Sequence, residues 1–232
     1  MKKQALVAAF SLVAPMVLGS TGVFADTTLT SSNTGVNANF TLPSVDNDNP
    51  TPNNPSGGSG TGSDNNTNLP LNPDGSFGLA YVPYGLDFGT IQLNNSGAMS
   101  KNIDLPAGET LNVGVKDTLH NSQGWTLSAQ FTGQLANEGA TIGTTTNKAQ
   151  VYDASGHLQD LSSPGMINVT SNAEINSSQQ VIMTGNQGNV FSGTYDMDLG
   201  TVSLEIPDAS RISQGQATGS ITWNLAQTPQ NP

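Results

Sequence analysis

Residues 125–131 read Trp-Thr-Leu-Ser-Ala-Gln-Phe, and residues 221–225 read Ile-Thr-Trp-Asn-Leu. In the first, Trp125, Leu127, Ala129 and Phe131 alternate with polar residues. In the second, Ile221, Trp223 and Leu225 do the same. Successive side chains of a strand point to opposite faces, so a period of two marks a half-buried strand. The same period recurs at Phe77, Leu79 and Tyr81, at Leu111, Val113 and Val115, and at Val202, Leu204 and Ile206. Pro207 and Pro229 close the last runs. No stretch carries a long helical stripe, and Asn137 to Gln150 is expected to hold one short helix at most. Short strands separated by turn residues predict an all-β domain, a sandwich or barrel-like fold.

Composition agrees. Ser, Thr, Asn, Gln and Gly abound while charged residues make up 10% of the chain, which suits strands and polar turns better than helices. There is no cysteine. Disulfides, thiolate metal sites and cysteine nucleophiles are thereby excluded, and the fold must rest on its apolar core.

The first 25 residues are of another kind. Met1-Lys2-Lys3 is basic, Ala5 to Leu18 is apolar apart from Ser11 and Pro15, and Val23 and Ala25 put small side chains at the −3 and −1 places of a cut before Asp26. This is the layout of a cleavable signal peptide. The apolar run falls short of the about 20 residues that span a bilayer, and no second run of that length follows. The chain is therefore expected to work outside the cell, with no membrane span after cleavage.

The expected mature chain, from Asp26, keeps Lys101, Lys116, Lys148 and Arg211 as its four basic side chains, against all 17 acidic ones. That is a formal charge of −13, where the whole chain carries −11. Such a surface repels phosphate backbones and anionic headgroups, so nucleic acid is not an expected partner.

Two segments precede the strand-rich region. Val36, Ala38, Phe40 and Leu42 alternate, so residues 26–42 are expected to supply an N-terminal strand of the domain. Residues 43–75 contain NDNPTPNNPSGGSGTGSDNNTNLPLNPDG. They hold too little apolar surface to offset ordering entropy and are expected to form a linker or an inserted loop. Residues 76–232 then form the main domain.

Catalytic and metal patterns are missing. His120 and His157 belong to no ligand motif and read as exposed loop residues. No nucleophile elbow, phosphate loop or dinucleotide fingerprint occurs. Asp196 and Asp198 would share one strand face, which suits a calcium ion or a carboxylate pair, but they read better as a solvated strand end. Asp153-Ala154-Ser155-Gly156 reads as a turn. No metal or cofactor is expected. No sortase motif or lipobox cysteine is present, so attachment to a surface would have to be non-covalent.

Trp-x-Leu occurs twice and uses both tryptophans of the chain. Ile221-Thr222-Trp223-Asn224-Leu225 with Pro229, Gly124-Trp125-Thr126-Leu127, and Leu86-Asp87-Phe88-Gly89-Thr90 together resemble the motifs of the WxL domain of Gram-positive surface proteins. The resemblance covers essentially the whole mature chain. Ala217 stands where that family often carries a tyrosine.

The resemblance implies non-covalent attachment to the cell wall, with peptidoglycan as ligand. It also implies association with other surface proteins, including membrane-anchored WxL-interacting proteins. Trp125, Leu127, Trp223 and Leu225 are the candidate binding residues, and Asp87, Phe88 and Gly89 the candidate structural motif. Alternation with apolar neighbours reads both Trp-Leu pairs as core, and the same residues can also bind where their strands lie at an exposed edge. A wall-binding module, a subunit bound to a protein partner and an exported polysaccharide hydrolase are the three function classes. The last lacks a catalytic constellation.

Overall fold

The computed structural model describes residues 35–41, 64–71, 73–146 and 148–228. The expected signal peptide, residues 1–25, lies outside them. The described residues form fourteen strands and one short α-helix, and all the strand pairings are antiparallel.

Three sheets divide the strands. The largest has six, ordered β1 (Asn68–Pro70), β2 (Phe77–Pro83), β4 (Asn112–Asp117), β12 (Gly193–Asp198), β7 (Ala149–Tyr152) and β8 (Leu158–Asp160). A second is ordered β10 (Glu174–Ile175), β6 (Thr141–Thr144), β13 (Val202–Ile206) and β3 (Met99–Asn102). The third is ordered β14 (Gly219–Gln227), β5 (Trp125–Gly133), β11 (Gln180–Gly185) and β9 (Ile167–Val169).

All three sheets contribute to one hydrophobic core. Val113, Val115 and Met197 come from the first, Ile142 and Leu204 from the second, Trp125 and Leu127 from the third. The alternation in β13 is complete: Val202, Leu204 and Ile206 are buried, and Ser203 and Glu205 are not. Every residue of β4 is buried, so both faces of the six-stranded sheet are covered at its centre.

The polar half of that burial is a hydrogen-bonded row. Tyr81 Oη donates to Asp196 Oδ1 at 2.6 Å, and Asn112 Nδ2 reaches both Asp196 oxygens at 3.0 Å. Asn112 N in turn donates to Asn68 Oδ1 at 2.8 Å, and Asn68 Nδ2 donates to Thr110 O at 3.0 Å. A buried carboxylate survives only with such partners. The reading of Asp196 as a solvated strand end is therefore corrected. Burial pushes its carboxyl up to about 6, against the lowering pull of Tyr81 and Asn112. Burial, and then the Asp196 carboxyl, hold the Tyr81 phenol well above its usual range. Asp198 ends the strand by accepting from Gly200 N at 2.8 Å.

Three expectations about segments change. The strand expected at 36–42 is not formed over the described residues 35–41, which take no regular structure and leave Val36 and Phe40 exposed. Alternation supplies a strand's faces, but a strand also needs a ladder for its backbone groups. The low-complexity stretch expected over 43–75 ends early, because Asn68, Leu69 and Pro70 pair with Pro83, Val82 and Tyr81. Asn68 joins through its amide to the buried row, a signal composition does not carry. The short helix expected between Asn137 and Gln150 sits earlier, at Gln134–Asn137, and β6 and β7 take up the rest. His120 and His157 are exposed, and Gly156 N donates to Asp153 O at 3.0 Å in the expected turn.

Candidate functional site

The two Trp-x-Leu words are neighbours. In the register of β14 against β5, Leu225 lies opposite Leu127, Trp223 opposite Ala129 and Gln227 opposite Trp125. Directly opposed residues of an antiparallel pair share a face. The two motifs thus meet at their leucines, with the tryptophans at opposite ends of one inner face.

Their environments differ. Trp125 is fully buried. Its ring tilts against Tyr195 at 5.9 Å between centroids. It lies opposite Gly185 of β11, where a Cβ would come within 2.4 Å of the indole. The indole N–H has no hydrogen bond among the described residues, yet it lies close enough to stabilise the Asp117 carboxylate. Burial, the largest influence, pushes Asp117 up; the Leu119 N–H and Trp125 pull it back. Burial and then Asp117 push the Tyr195 phenol up to about 12. Leu127 is also fully buried. Trp125 and Leu127 are core residues.

Trp223 and Leu225 are half-buried, because β14 is an edge strand and each of its polar neighbours is exposed. Beside Trp223 opens a groove of about 850 Å³. Its apolar wall includes Leu86, Phe88, Ile91, Phe131, Ile206 and Trp223. The segment Ser213–Thr218 adds amides and hydroxyls, including Gln214 and Gln216. Asp87 is the one charged side chain among the described lining residues.

Asp87, Phe88 and Gly89 build one wall by local chemistry. Asp87 Oδ1 accepts from Gly89 N at 2.8 Å, an Asx turn that closes on the backbone two residues on. Gly89 has φ 66°, a conformation natural to glycine. Asn66 clamps the turn: its Oδ1 accepts from Asp87 N at 2.8 Å and its Nδ2 donates to Asp87 O at 3.1 Å. Phe88 is thereby set at the groove wall. Tyr84, half exposed directly after β2, lines the same groove.

The groove brings Trp223, Asp87, Phe88 and Gly89 together. Trp125, Leu127 and Leu225 do not line it. Sequence reasoning missed Tyr84 and the polar segment 213–218, neither of which alternates or carries a motif. Ala217, where the resemblance leads one to expect tyrosine, lines the groove as well, so the smaller side chain leaves that wall open. Among the described residues, no group of three or more His, Cys, Asp or Glu could hold a metal ion. No helix among them is long and apolar enough to cross a membrane.

Fold and groove define an all-β domain with an amphipathic, weakly charged cleft beside the edge strand of a sheet. The family model described as WxL domain surface cell wall-binding matches residues 26–229. The chain belongs to the WxL domain family, a family of surface domains that bind the cell wall. No match was found among curated proteins or among solved structures.

Proposed function

We propose that this is a secreted, non-catalytic protein of a Gram-positive surface, held non-covalently on peptidoglycan through the groove beside β14. The observation that carries the reading is the groove's make-up. The aromatic side chains of Tyr84, Phe88 and Trp223 stand with the amides of Gln214 and Gln216 around one cleft. Aromatic faces pack on the apolar faces of sugar rings, and amides and hydroxyls satisfy their hydroxyl and acetamido groups. A nearly uncharged lining suits a neutral glycan better than the anionic polymers of a wall, which a net acidic chain repels. Many copies bound to one wall gain avidity from modest single-site affinity.

Export is supported by the basic and apolar layout of residues 1–25 and by the family match, which starts at Asp26. In this reading, Phe88 and Trp223 are binding residues, Asp87 and Gly89 position Phe88, and Trp125 and Leu127 hold the sheet.

The test is co-sedimentation of the chain from Asp26 with peptidoglycan stripped of proteins and teichoic acids. The wild type should pellet, and Tyr84→Ala should stay in solution with unchanged thermal unfolding, since Tyr84 is half exposed. Phe88→Ala should also stay in solution, with a modest loss of stability because Phe88 packs against the core. A wild-type chain that stays in solution would move the ligand to a protein at the surface.

A further inference from the structure

The register of β14 fixes which way its backbone points. Thr228 N donates to Gly124 O at 3.0 Å, one step beyond the Gln227–Trp125 pair. Hydrogen-bonded and non-hydrogen-bonded pairs alternate along an antiparallel ladder. The even-numbered residues from Ser220 to Thr228 therefore exchange bonds with β5. The other side of β5 agrees: Phe131, opposite Ile221, sends its N–H away from β14 to Asn176 O at 2.7 Å. Ile221, Trp223 and Leu225 thus aim their N–H and C=O groups out of the sheet. No hydrogen bond to these six groups occurs among the described residues. Among the described residues they form an open edge, and an unpaired edge is a template for another strand.

A second feature matches it. Residues 35–41 read Gly-Val-Asn-Ala-Asn-Phe-Thr, with alternating Val36, Ala38 and Phe40. The segment has no ladder, and Val36 and Phe40 are 88% and 91% exposed. Val36 and Phe40 fall on the same side of an extended segment, an apolar face that a neighbouring strand could cover.

We propose that this segment of one copy adds as a strand to the β14 edge of a second copy. Opposed to the outward groups, Val36, Ala38 and Phe40 would meet Leu225, Trp223 and Ile221 in antiparallel register. Small Ala38 then faces the indole, and Phe40 covers half-buried Ile221. A parallel strand also sets Ala38 against Trp223. All three side chains would share the inner face of β14. Backbone bonds supply affinity, and the large-small-large pattern supplies selectivity. The segment carries no charge, so it can dock on an acidic chain where an acidic strand could not. Donor and acceptor are different surfaces of the protein, so the contact is head-to-tail and builds chains or rings, not only pairs.

The added strand would cover Trp223 and Ile221, which also line the groove, so assembly and wall binding would compete; the assembly is tested without any wall. The chain from Asp26 is followed by sedimentation velocity over a concentration series at low and moderate salt. Concentration-dependent species larger than a dimer are expected, growing with salt as repulsion between acidic copies is screened. Val36→Asp with Phe40→Asp should leave thermal unfolding unchanged, because both side chains are exposed. It should weaken association at least about tenfold, since one buried Phe exceeds a decade of affinity. A synthetic peptide of residues 33–43 should bind the double variant with one site per chain and should dissolve the wild-type assembly. A wild-type monomer at every concentration and salt would overturn the proposal. So would association that the double variant retains in full.

Discussion

Three letters, Trp-x-Leu, are written on two adjacent strands and meet opposite fates. On β5 the word lies between β14 and β11, and both its side chains are fully buried. On β14 the same word has, among the described residues, a neighbour on one side only, and both its side chains are half-buried. The two leucines face each other across the ladder, so face and packing partner are shared. What differs is the position of the strand in the sheet. A central strand confines an indole between its neighbours. An edge strand leaves one flank of the indole open, and here that flank opens on the groove. One motif therefore holds the fold, while the other is free to contact something else.

The largest effect separating them should come from Trp125. Trp125→Ala removes a wholly buried ring and leaves a cavity against Tyr195 and Gly185. A destabilisation of about 3–5 kcal/mol is expected from such a truncation, read by chemical denaturation of the chain from Asp26. A loss below about 1 kcal/mol, typical of surface sites, would mean that Trp125 is no core residue and that the contrast fails.

How legible this contrast was in the sequence follows from the same residues. Alternation placed Trp125, Leu127 and Phe131 on one face, and the structure buries all three. Alternation is blind to strand order, so it could not say that β14 is an edge. Asp87 and Gly89 were visible as a motif, but their role depends on Asn66, 21 residues earlier and within a stretch that composition assigns to a linker. Tyr84 and Gln214 reach the groove from loops, where no period exists to reveal them. Asp196 shows the limit most clearly. Polar type argued for solvent, and only the meeting of β1, β2, β4 and β12 supplies the Asn68, Tyr81 and Asn112 groups that let it be buried.

That buried carboxyl gives the next effect and extends the comparison to the six-stranded sheet. Its pKa rises on folding from 3.8 to about 6. Below pH 3.8 both the folded and the unfolded chain hold the proton, and the site costs nothing. As pH rises to 6, the unfolded chain ionises first, so stability falls and then levels off above that pH. About two pKa units correspond to about 3 kcal/mol. Asp117, also raised by burial, acts in the same direction. Asp153, Asp160 and Asp208 are lowered by their hydrogen bonds, and stability is lost through them only as pH falls below the ordinary carboxylate range. Unfolding free energy measured from pH 4 to 7 should decline, and Asp196→Asn should flatten most of the decline. An Asn variant with an undiminished slope would remove Asp196 as the source.

Gly185→Ala sharpens the core side of the comparison. A methyl group there would meet the Trp125 ring at 2.4 Å, and β11 is paired on both sides, so it cannot swing away freely. A loss of about 1–3 kcal/mol is expected from overpacking, together with a shift in tryptophan fluorescence. The fluorescence shift should persist when Trp223 is replaced, since Trp125 is the ring displaced.

The smallest effect on stability should come from Trp223→Ala, and it tests the comparison most directly. The ring is half-buried on an edge strand, so truncation forfeits part of its packing and leaves no closed cavity. About 1 kcal/mol is expected, roughly a quarter of the Trp125 loss. Binding should move the other way: the variant should no longer pellet with stripped peptidoglycan, because the ring lines the groove. Folding and binding would then divide between two copies of the same word. If Trp223→Ala unfolds the domain as severely as Trp125→Ala, the edge strand is as integral as the central one and the division is wrong. If it is stable and still pellets fully, β14 is an edge but the groove does not hold the wall.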